Sequence, residues 1–508
     1  MKAVDNFLNK ITMYKIVLYV LIMLVLVAIS LSAIGLLPYS PLAIVFSAFL
    51  ILSVSLITNI VFAYAFDVPA NVESVYITAL ILVLIITPIQ AVGDTAFYSL
   101  AIWASVLSMA SKYILAIKHK HIFNPAGIAV VITAVTLFQS ATWWIGTAWM
   151  LPFVLIGGFL ITRKIHRFDL VISFCITAIL MTIIPVISNG GNLTTALWRI
   201  VATVPLFFFA TVMLTEPLTT PPTKWLRVAY GIFVGLLFAP NVHVGTVYST
   251  PELALVVGNV FSYLVSPKEK LTLKLREIRE VARDTYDFIF TSNRKMVFVP
   301  GQYLEWTIPD KGADTRGNRR YFTIASSPTE PTISIGVKFY PEASSFKKML
   351  LSMQTGDTII ASQRAGDFTM PKDTSKKLVF VAGGIGVTPF RSMIKYLIDK
   401  GEKRDIVIFY SNKSIEDIAY ADLFAEAYTK LGIRTVCTLT DTKSVPSDWQ
   451  GNTGYVNYEM IMAHAPDFRE RTFYISGPHS MVTAFDDTIR KMGILSSQIK
   501  KDFFPGFV

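Results

Sequence analysis

Charge is spread so unevenly along this chain that its two halves cannot share one solvent. Residues 1–265 hold only 12 Lys/Arg and 7 Asp/Glu, against 34 and 28 in residues 266–508. A hydrophobic content of 53% and a mean hydropathy of +0.52 are too high for an ordinary soluble protein. The front half therefore reads as an α-helical polytopic membrane domain, residues 1–265. A span needs about 20 mostly apolar residues. Ten stretches come near that: roughly 14–37, 42–66, 72–90, 94–115, 124–140, 143–162, 168–187, 195–214, 226–240 and 244–265. Basic residues fall in alternate connections: Lys2/Lys10/Lys15, Lys112/Lys118/Lys120, Arg163/Lys164/Arg167, Lys224/Arg227 and Lys268/Lys270. The turns at 38–41, 139–142 and 239–247 have none, the asymmetry of inner and outer loops. About ten spans, an even number, would put both termini and the whole back half on the cytoplasmic side of the cell membrane. The net charge of +11 divides as +5 and +6, so it singles out no nucleic-acid partner.

From Lys270 the hydrophobic period changes to two. KLTLKLREIREV, DTYDFIFTS and FVPGQYLEWTIP are alternating strands with Gly/Pro turns, which predict an antiparallel β-barrel over 266–375. From Lys377, KLVFVAGGIGVTPFRSMIKYLID reads as buried strand, glycine loop and helix, opening an α/β domain over 376–508. Gly383, Gly384 and Gly386, with Thr388 and Pro389, would let the backbone approach a pyrophosphate at a helix start. Ser411, Asn412 and Lys413 end the next strand, where open α/β sheets bind ligands. Ser344 and Ser345 open a short helix, whose free N–H groups suit an anion.

RRYFTIASSP (Arg319–Pro328), GGIGVTP (Gly383–Pro389) and FYISGPHSMV (Phe473–Val482) together resemble the ferredoxin–NADP reductase superfamily. That resemblance implies FAD in the barrel and NAD(P)H in the α/β domain. It gives Arg320 the flavin phosphate, lays Phe322 or Tyr321 against the isoalloxazine and turns the Thr323 hydroxyl toward its N5 edge. Ser326, Val337, Lys338, Ser344, Ser345 and Phe346 complete the flavin site. Phe504 or Phe507 would cover the ring until nicotinamide displaces it. Ser476 stands where the family has a cysteine near the nicotinamide C4, and shares the catalytic role with Thr323. Gly477, Pro478 and Met481 line the same nucleotide site.

In the front half, KHKHIFNPAG (Lys118–Gly127) and MLTEPLTTPPT (Met213–Thr223) break the apolar pattern. With the helices that follow, they resemble the NqrB/RnfD membrane flavin subunit of the Na+-translocating NADH:quinone reductase and the Rnf complex. This implies two five-helix repeats and a second flavin, FMN or riboflavin, near Asn124, Pro125, Thr215 and Glu216. The family attaches FMN through a threonine; here QSATWW, with Thr142, lacks the motif's glycine, so a non-covalent flavin is expected.

The reading that results is a membrane flavoprotein oxidoreductase. Electrons would run from NAD(P)H through FAD to the membrane flavin, then to a quinone or an extracytosolic acceptor. The alternatives are a redox-coupled Na+/H+ transporter, or a soluble-type reductase on an inert membrane anchor. Two cysteines, Cys175 and Cys437, cannot ligate an iron–sulfur cluster. None of the six histidines falls within a predicted span. The expected set thus has no haem, no iron–sulfur cluster and no metal.

Overall fold

The computed structural model describes the chain except residues 1–3, 5–6, 9–10, 67–71, 118–119, 240, 267–269, 293, 295, 309–317, 342, 444 and 503–508. It divides into two compact units, Met1–Ser266 and Pro267–Phe504.

The first unit is helical, but about ten spans is a miscount. Among the described residues, three helices are long and apolar enough to cross a bilayer: Met13–Ala33, Pro41–Ala65 and Phe168–Ser188. A fourth would be the pair Leu193–Ala202 and Leu206–Met213, bent by 52°. Hydropathy missed where the backbone stops. Val72–Ile85 ends before Pro88, and Pro125–Thr136 ends where Phe138 takes φ 55°. Leu151–Ile165 starts well after Trp143, also at φ 55°. Residues 243–248 form a two-residue ladder ahead of Pro251–Val265. Helices of 12 to 15 residues rise roughly 18–22 Å, short of a hydrocarbon core about 30 Å thick. Thr95–Ile114 has the length, but Ser99, Ser105, Ser108, Ser111 and Lys112 dilute its apolarity.

The closest helix packing in this unit is made by glycine. A Cβ on Gly231 would lie 2.8 Å from the Leu170 carbonyl oxygen, and one on Gly235 2.9 Å from that of Phe174. The Gly-x-x-x-Gly spacing thus lets Lys224–Phe238 seat its backbone against Phe168–Ser188, as small residues do between membrane helices. Gly231→Leu should separate the pair. Overpacking of this kind costs about 1–3 kcal/mol or more. A monodisperse size-exclusion peak in detergent should give way to aggregate; an unchanged peak would show that the contact is dispensable.

The second unit begins with six antiparallel strands: β1 (Lys270–Ala282), β2 (Thr285–Ser292), β3 (Tyr303–Thr307), β4 (Arg319–Thr323), β5 (Ile333–Lys338) and β6 (Thr358–Ala365). They pair in the order β4-β3-β6-β1-β2-β5 around Trp306, Phe288, Phe290 and Ile335. The turn into β3 needs Gly301, at φ 93°, because a Cβ there would meet the Phe368 carbonyl oxygen at 2.0 Å.

Six further strands form a sheet whose every pairing is parallel: β7 (Leu378–Gly383), β8 (Ile406–Asn412), β9 (Arg434–Leu439), β10 (Asn452–Thr453), β11 (Thr472–Ser476) and β12 (Ile499–Lys501). The order is β10-β9-β8-β7-β11-β12. It reverses at β7, so β8 and β11 flank β7, and the ends of these three strands frame the ligand crevice of such sheets.

Candidate functional site

The period-two pleat of β4 sorts its residues onto two faces. Arg320 and Phe322 pair in register with Trp306 and Leu304, whereas Arg319, Tyr321 and Thr323 pair with Thr307, Glu305 and Tyr303. On the first face the Arg320 guanidinium lies over the Phe346 ring, 5.5 Å from its centroid, and the Phe322 ring is 5.8 Å from the same ring. Phe346 belongs to the helix Ser345–Ser352, whose first turn is capped by the Ser344 hydroxyl accepting from Lys347 N. Arg320, Phe322, Ser344, Ser345 and Phe346 are therefore brought together: a guanidinium, an aromatic ring and a helix N-terminus. On the other face the Tyr321 hydroxyl donates to Glu305 Oε2 at 3.1 Å, and Tyr303 packs edge-on against Tyr321. Thr323 is buried at the end of this face.

Beyond β4 the chain is tied to the second sheet. Ser326 Oγ accepts from Ser334 N, and its carbonyl oxygen accepts from the Ser392 hydroxyl at 2.7 Å. Arg391 donates to the Ala325 carbonyl oxygen at 3.1 Å and forks onto Glu330. Arg391 and Ser392 sit in the helix Thr388–Lys400 that the glycine loop begins. On β5, Val337 is core, and the Lys338 ammonium is 2.8 Å from Asp417, which Arg283 also holds. At Gly336 a Cβ would come within 2.7 Å of Thr388 Cγ2 and of the Tyr420 hydroxyl. The nucleotide-loop threonine thus rests directly on a barrel strand.

The glycine loop packs backbone to backbone on the turn after β11. A Cβ on Gly386 would lie 2.5 Å from Gly477 Cα, and one on Gly383 would lie 2.1 Å from Met481 Sδ. Gly384 sits at φ 50° beside open space. Thr388 and Pro389 are buried at the helix start, and Pro478 is exposed opposite. At the end of β8, Ser411 and Asn412 are buried and Lys413 is exposed. Neither the amide nitrogen nor the carbonyl oxygen of the Asn412 side chain has a hydrogen-bond partner among the described residues. A buried, unsatisfied amide is costly, and this one follows Ser411, which pairs with Gly383 at the start of the glycine loop. Ser476 ends β11, buried, its hydroxyl donating to Asp502 Oδ2 at 3.0 Å. Phe504 and Phe507 lie outside the described residues.

Several participants had no motif to announce them. Asp502 follows a three-residue edge strand. Asp287, on β2, accepts from the Tyr420 hydroxyl, whose residue is held at φ 60°. Burial pushes the Asp287 carboxyl up to about 6, against the opposing pull of the Tyr420 hydrogen bond and the Arg391 charge. Burial also holds the Tyr420 phenol well above its ordinary range. The consequence for stability follows from linkage. Below the unfolded carboxyl's pKa of about 4 Asp287 is protonated in both states and its stabilising share is complete. Between there and about 6 only the folded state keeps the proton, so stability falls as pH rises. Asp287→Asn should flatten that fall, about 2–3 kcal/mol for a two-unit shift, when thermal unfolding is followed across this range. An equally steep fall in the variant would place the titration elsewhere.

In the helical unit Asn124 caps Pro125–Thr136, and its Nδ2 donates to Glu216 Oε2 at 2.9 Å. Glu216 Oε1 meets His121 Nε2 at 3.0 Å. Asn124 N donates to Asn259, whose Nδ2 donates to the Tyr230 hydroxyl. Pro125 is the first residue of its helix, and the Thr215 hydroxyl is turned back to the Thr211 carbonyl oxygen. Thr142 is not brought to this cluster: it pairs with Thr87 at 2.6 Å beyond the other end of Pro125–Thr136. Asn259 and Tyr230 are members that the sequence did not mark, and His121 joins them from within the Lys118–Gly127 segment.

Residues 380–487 match the model of the oxidoreductase NAD-binding domain family. The glycine betaine monooxygenase reductase subunit of Chromohalobacter salexigens is 26% identical over 234 residues, 44% of this chain and 62% of that protein. A flavohemoprotein of Candida albicans is 31% identical over 166 residues, 31% of this chain and 40% of that one. NADH-cytochrome b5 reductase 1 of Mortierella alpina is 26% identical over 237 residues, 45% of this chain and 77% of that one. The chain spans about three-fifths of the length of the monooxygenase reductase subunits it matches. The second unit is thus similar to NAD(P)H-dependent reductases, as the signatures in β4 and after β7 imply. The family match lies wholly in that unit, so the NqrB/RnfD likeness of the helical half rests on its two motifs alone.

The expectation of no haem and no iron–sulfur cluster is overturned. The matched relatives include a flavohemoprotein and a reductase subunit of an oxygenase. Counting cysteines and histidines in one chain tests only the ligands which that chain supplies. Electrons from such a module can pass to a metal centre housed in another domain or subunit.

Proposed function

We propose that this chain is an NAD(P)H-dependent flavin oxidoreductase whose catalytic unit follows a helical, membrane-anchoring half. FAD, when bound, accepts a hydride and releases its electrons singly or in pairs. Arg320 and the N-terminus of Ser345–Ser352 hold its phosphates, with Phe322 beside its ring system. Thr323 and Ser476 stand at the reacting edge, and Asp502 fixes the Ser476 hydroxyl. Gly383, Gly384, Gly386 and Gly477 admit the dinucleotide backbone, and Asn412 supplies an amide to it. The carrying observation is that Arg391 and Ser392, in the helix opened by the glycine loop, bond directly to residues 325, 326 and 330 just after β4. These bonds support a reading in which the donor and acceptor sites lie side by side.

The reading favoured for the helical half is an anchor that keeps the reductase at the cytoplasmic face. A second reading, delivery of electrons to a quinone, is supported by the polar chain from His121 through Glu216, Asn124 and Asn259 to Tyr230. The test is NAD(P)H:ferricyanide activity in washed membranes, with and without added quinone. Activity that sediments with membranes is expected. Activity confined to the soluble fraction would contradict anchoring, and loss of quinone reduction alone in Glu216→Gln would favour the second reading.

A further inference from the structure

Between β8 and the helix Ala421–Leu431 the chain leaves the parallel sheet and lies against the barrel. Residues 414–420 are tied to it along their length. Arg283 N donates to the Glu416 carbonyl oxygen at 2.8 Å, and the Arg283 guanidinium donates to Ser414 Oγ at 3.1 Å. The Lys338 ammonium, at the end of β5, donates to Asp417 Oδ1. Last comes Tyr420, whose hydroxyl donates to Asp287 Oδ1 on β2. Tyr420 sits at φ 60°, where the Cβ of an L-residue crowds the carbonyl oxygen. A strained residue of this kind persists only where its surroundings hold it.

Those surroundings close a circuit. Asp287 stands opposite Gly336 in the register of β2 with β5. A Cβ on Gly336 would lie 2.7 Å from the Tyr420 hydroxyl oxygen, 2.7 Å from Thr388 Cγ2 and 3.2 Å from Asp287 Oδ1. The tip of the tyrosine and the methyl of the threonine thus meet over a strand position that has no side chain. Thr388 is the first residue of the helix that the glycine loop opens, and its hydroxyl donates back into that loop, to the Ile385 carbonyl oxygen at 3.2 Å. One turn on, the Arg391 guanidinium lies over the Tyr420 ring, 5.8 Å from its centroid. Tyr420 is therefore wedged between the nucleotide-loop helix and the barrel, stacked on one and bonded to the other.

The proposed chemistry gives neither Tyr420 nor Asp287 a contact with flavin or nucleotide. What the pair can control is spacing. The nucleotide loop belongs to one sheet and the flavin strand to another, so contacts across the two set the gap between their ligands. A hydride moves when the reacting atoms stand about 3–3.5 Å apart, and a misplacement of about 1 Å costs roughly 100-fold. We infer that Tyr420 and Asp287 are positioning residues: their hydrogen bond seats the nucleotide loop on β5 and so fixes the distance from nicotinamide to flavin. The inference rests on the reading that this unit binds FAD and NAD(P)H together.

The test is anaerobic stopped-flow reduction of the purified full chain, with NADH or NADPH, whichever reduces the wild type faster. It reads FAD content, the nucleotide concentration at half-saturation and the limiting rate of flavin bleaching. Tyr420→Phe should lower the limiting rate roughly 10- to 100-fold and leave the other two near wild type. Asp287→Ala should do the same. The double variant should be no slower than either, because both substitutions remove one bond. Asp287→Asn keeps an acceptor oxygen and should recover most of the rate. An unchanged limiting rate in Tyr420→Phe, a loss confined to FAD content or half-saturation, or single effects that multiply in the double variant would overturn the positioning role. A wild type bleached by neither nucleotide would remove the proposed function itself, and the positioning role with it.

Discussion

Replacing Arg320 by alanine should strip FAD from the protein while leaving the fold in place. The side chain is 8% exposed and lies over Phe346, at the mouth of the Ser345–Ser352 helix. A guanidinium there can fork onto phosphate oxygens as a lysine cannot. A hydrogen bond to a charged group contributes about 1.5–3 kcal/mol, so the loss corresponds to FAD bound roughly 10- to 150-fold more weakly. Purified Arg320→Ala should lose its yellow colour on gel filtration and recover activity when FAD is added in excess. Full retention of flavin would move the phosphate away from Arg320.

Gly386→Val should have the opposite signature: flavin retained, nucleotide lost. The missing side chain at Gly386 is what lets the loop after β7 touch the turn after β11, because a Cβ there would stand only 2.5 Å from Gly477 Cα. No flexible side chain is at hand to give way, so the backbone must move. Displacement costs of about 1–3 kcal/mol predict kcat/KM for NAD(P)H down by roughly 5- to 150-fold. A variant with unchanged kcat/KM but reduced FAD content would mean that the loop serves the flavin instead. The two substitutions thus divide the site between its two ligands.

The parts of this site legible in the sequence are those dictated locally. A glycine loop between a buried strand and a helix is short, and every residue in it answers to its neighbours in sequence. Arg320 and Phe322 could be paired on one face from the pleat alone. The links that bind one element to another were not legible. Tyr420 reaches Asp287 across 133 positions and Asp417 reaches Lys338 across 79. Single residues of common types at such separations carry no pattern.

The helical half shows the limit differently. Its helices begin and end near the expected stretches, but their lengths are set by features to which hydropathy is blind. Pro205 bends one candidate span, and positive φ at Phe138 and Trp143 shortens the stretches on either side. Asn124 and Glu216 drew notice because polar residues beside proline interrupt an apolar run. His121 shares the Lys118–Gly127 segment with Asn124, but Asn259 and Tyr230 lie in other segments, and only the fold joins them.

The proposed function requires that one unit bind a nicotinamide donor and a flavin side by side. It is tested most directly by titrating the purified full chain with NADH and with NADPH in the absence of oxygen, following the flavin's visible absorbance. One of the two should bleach the band with about one equivalent per bound FAD, as a two-electron hydride acceptor requires. A protein that holds FAD yet is bleached by neither nucleotide, or one that releases no flavin on denaturation, would contradict it.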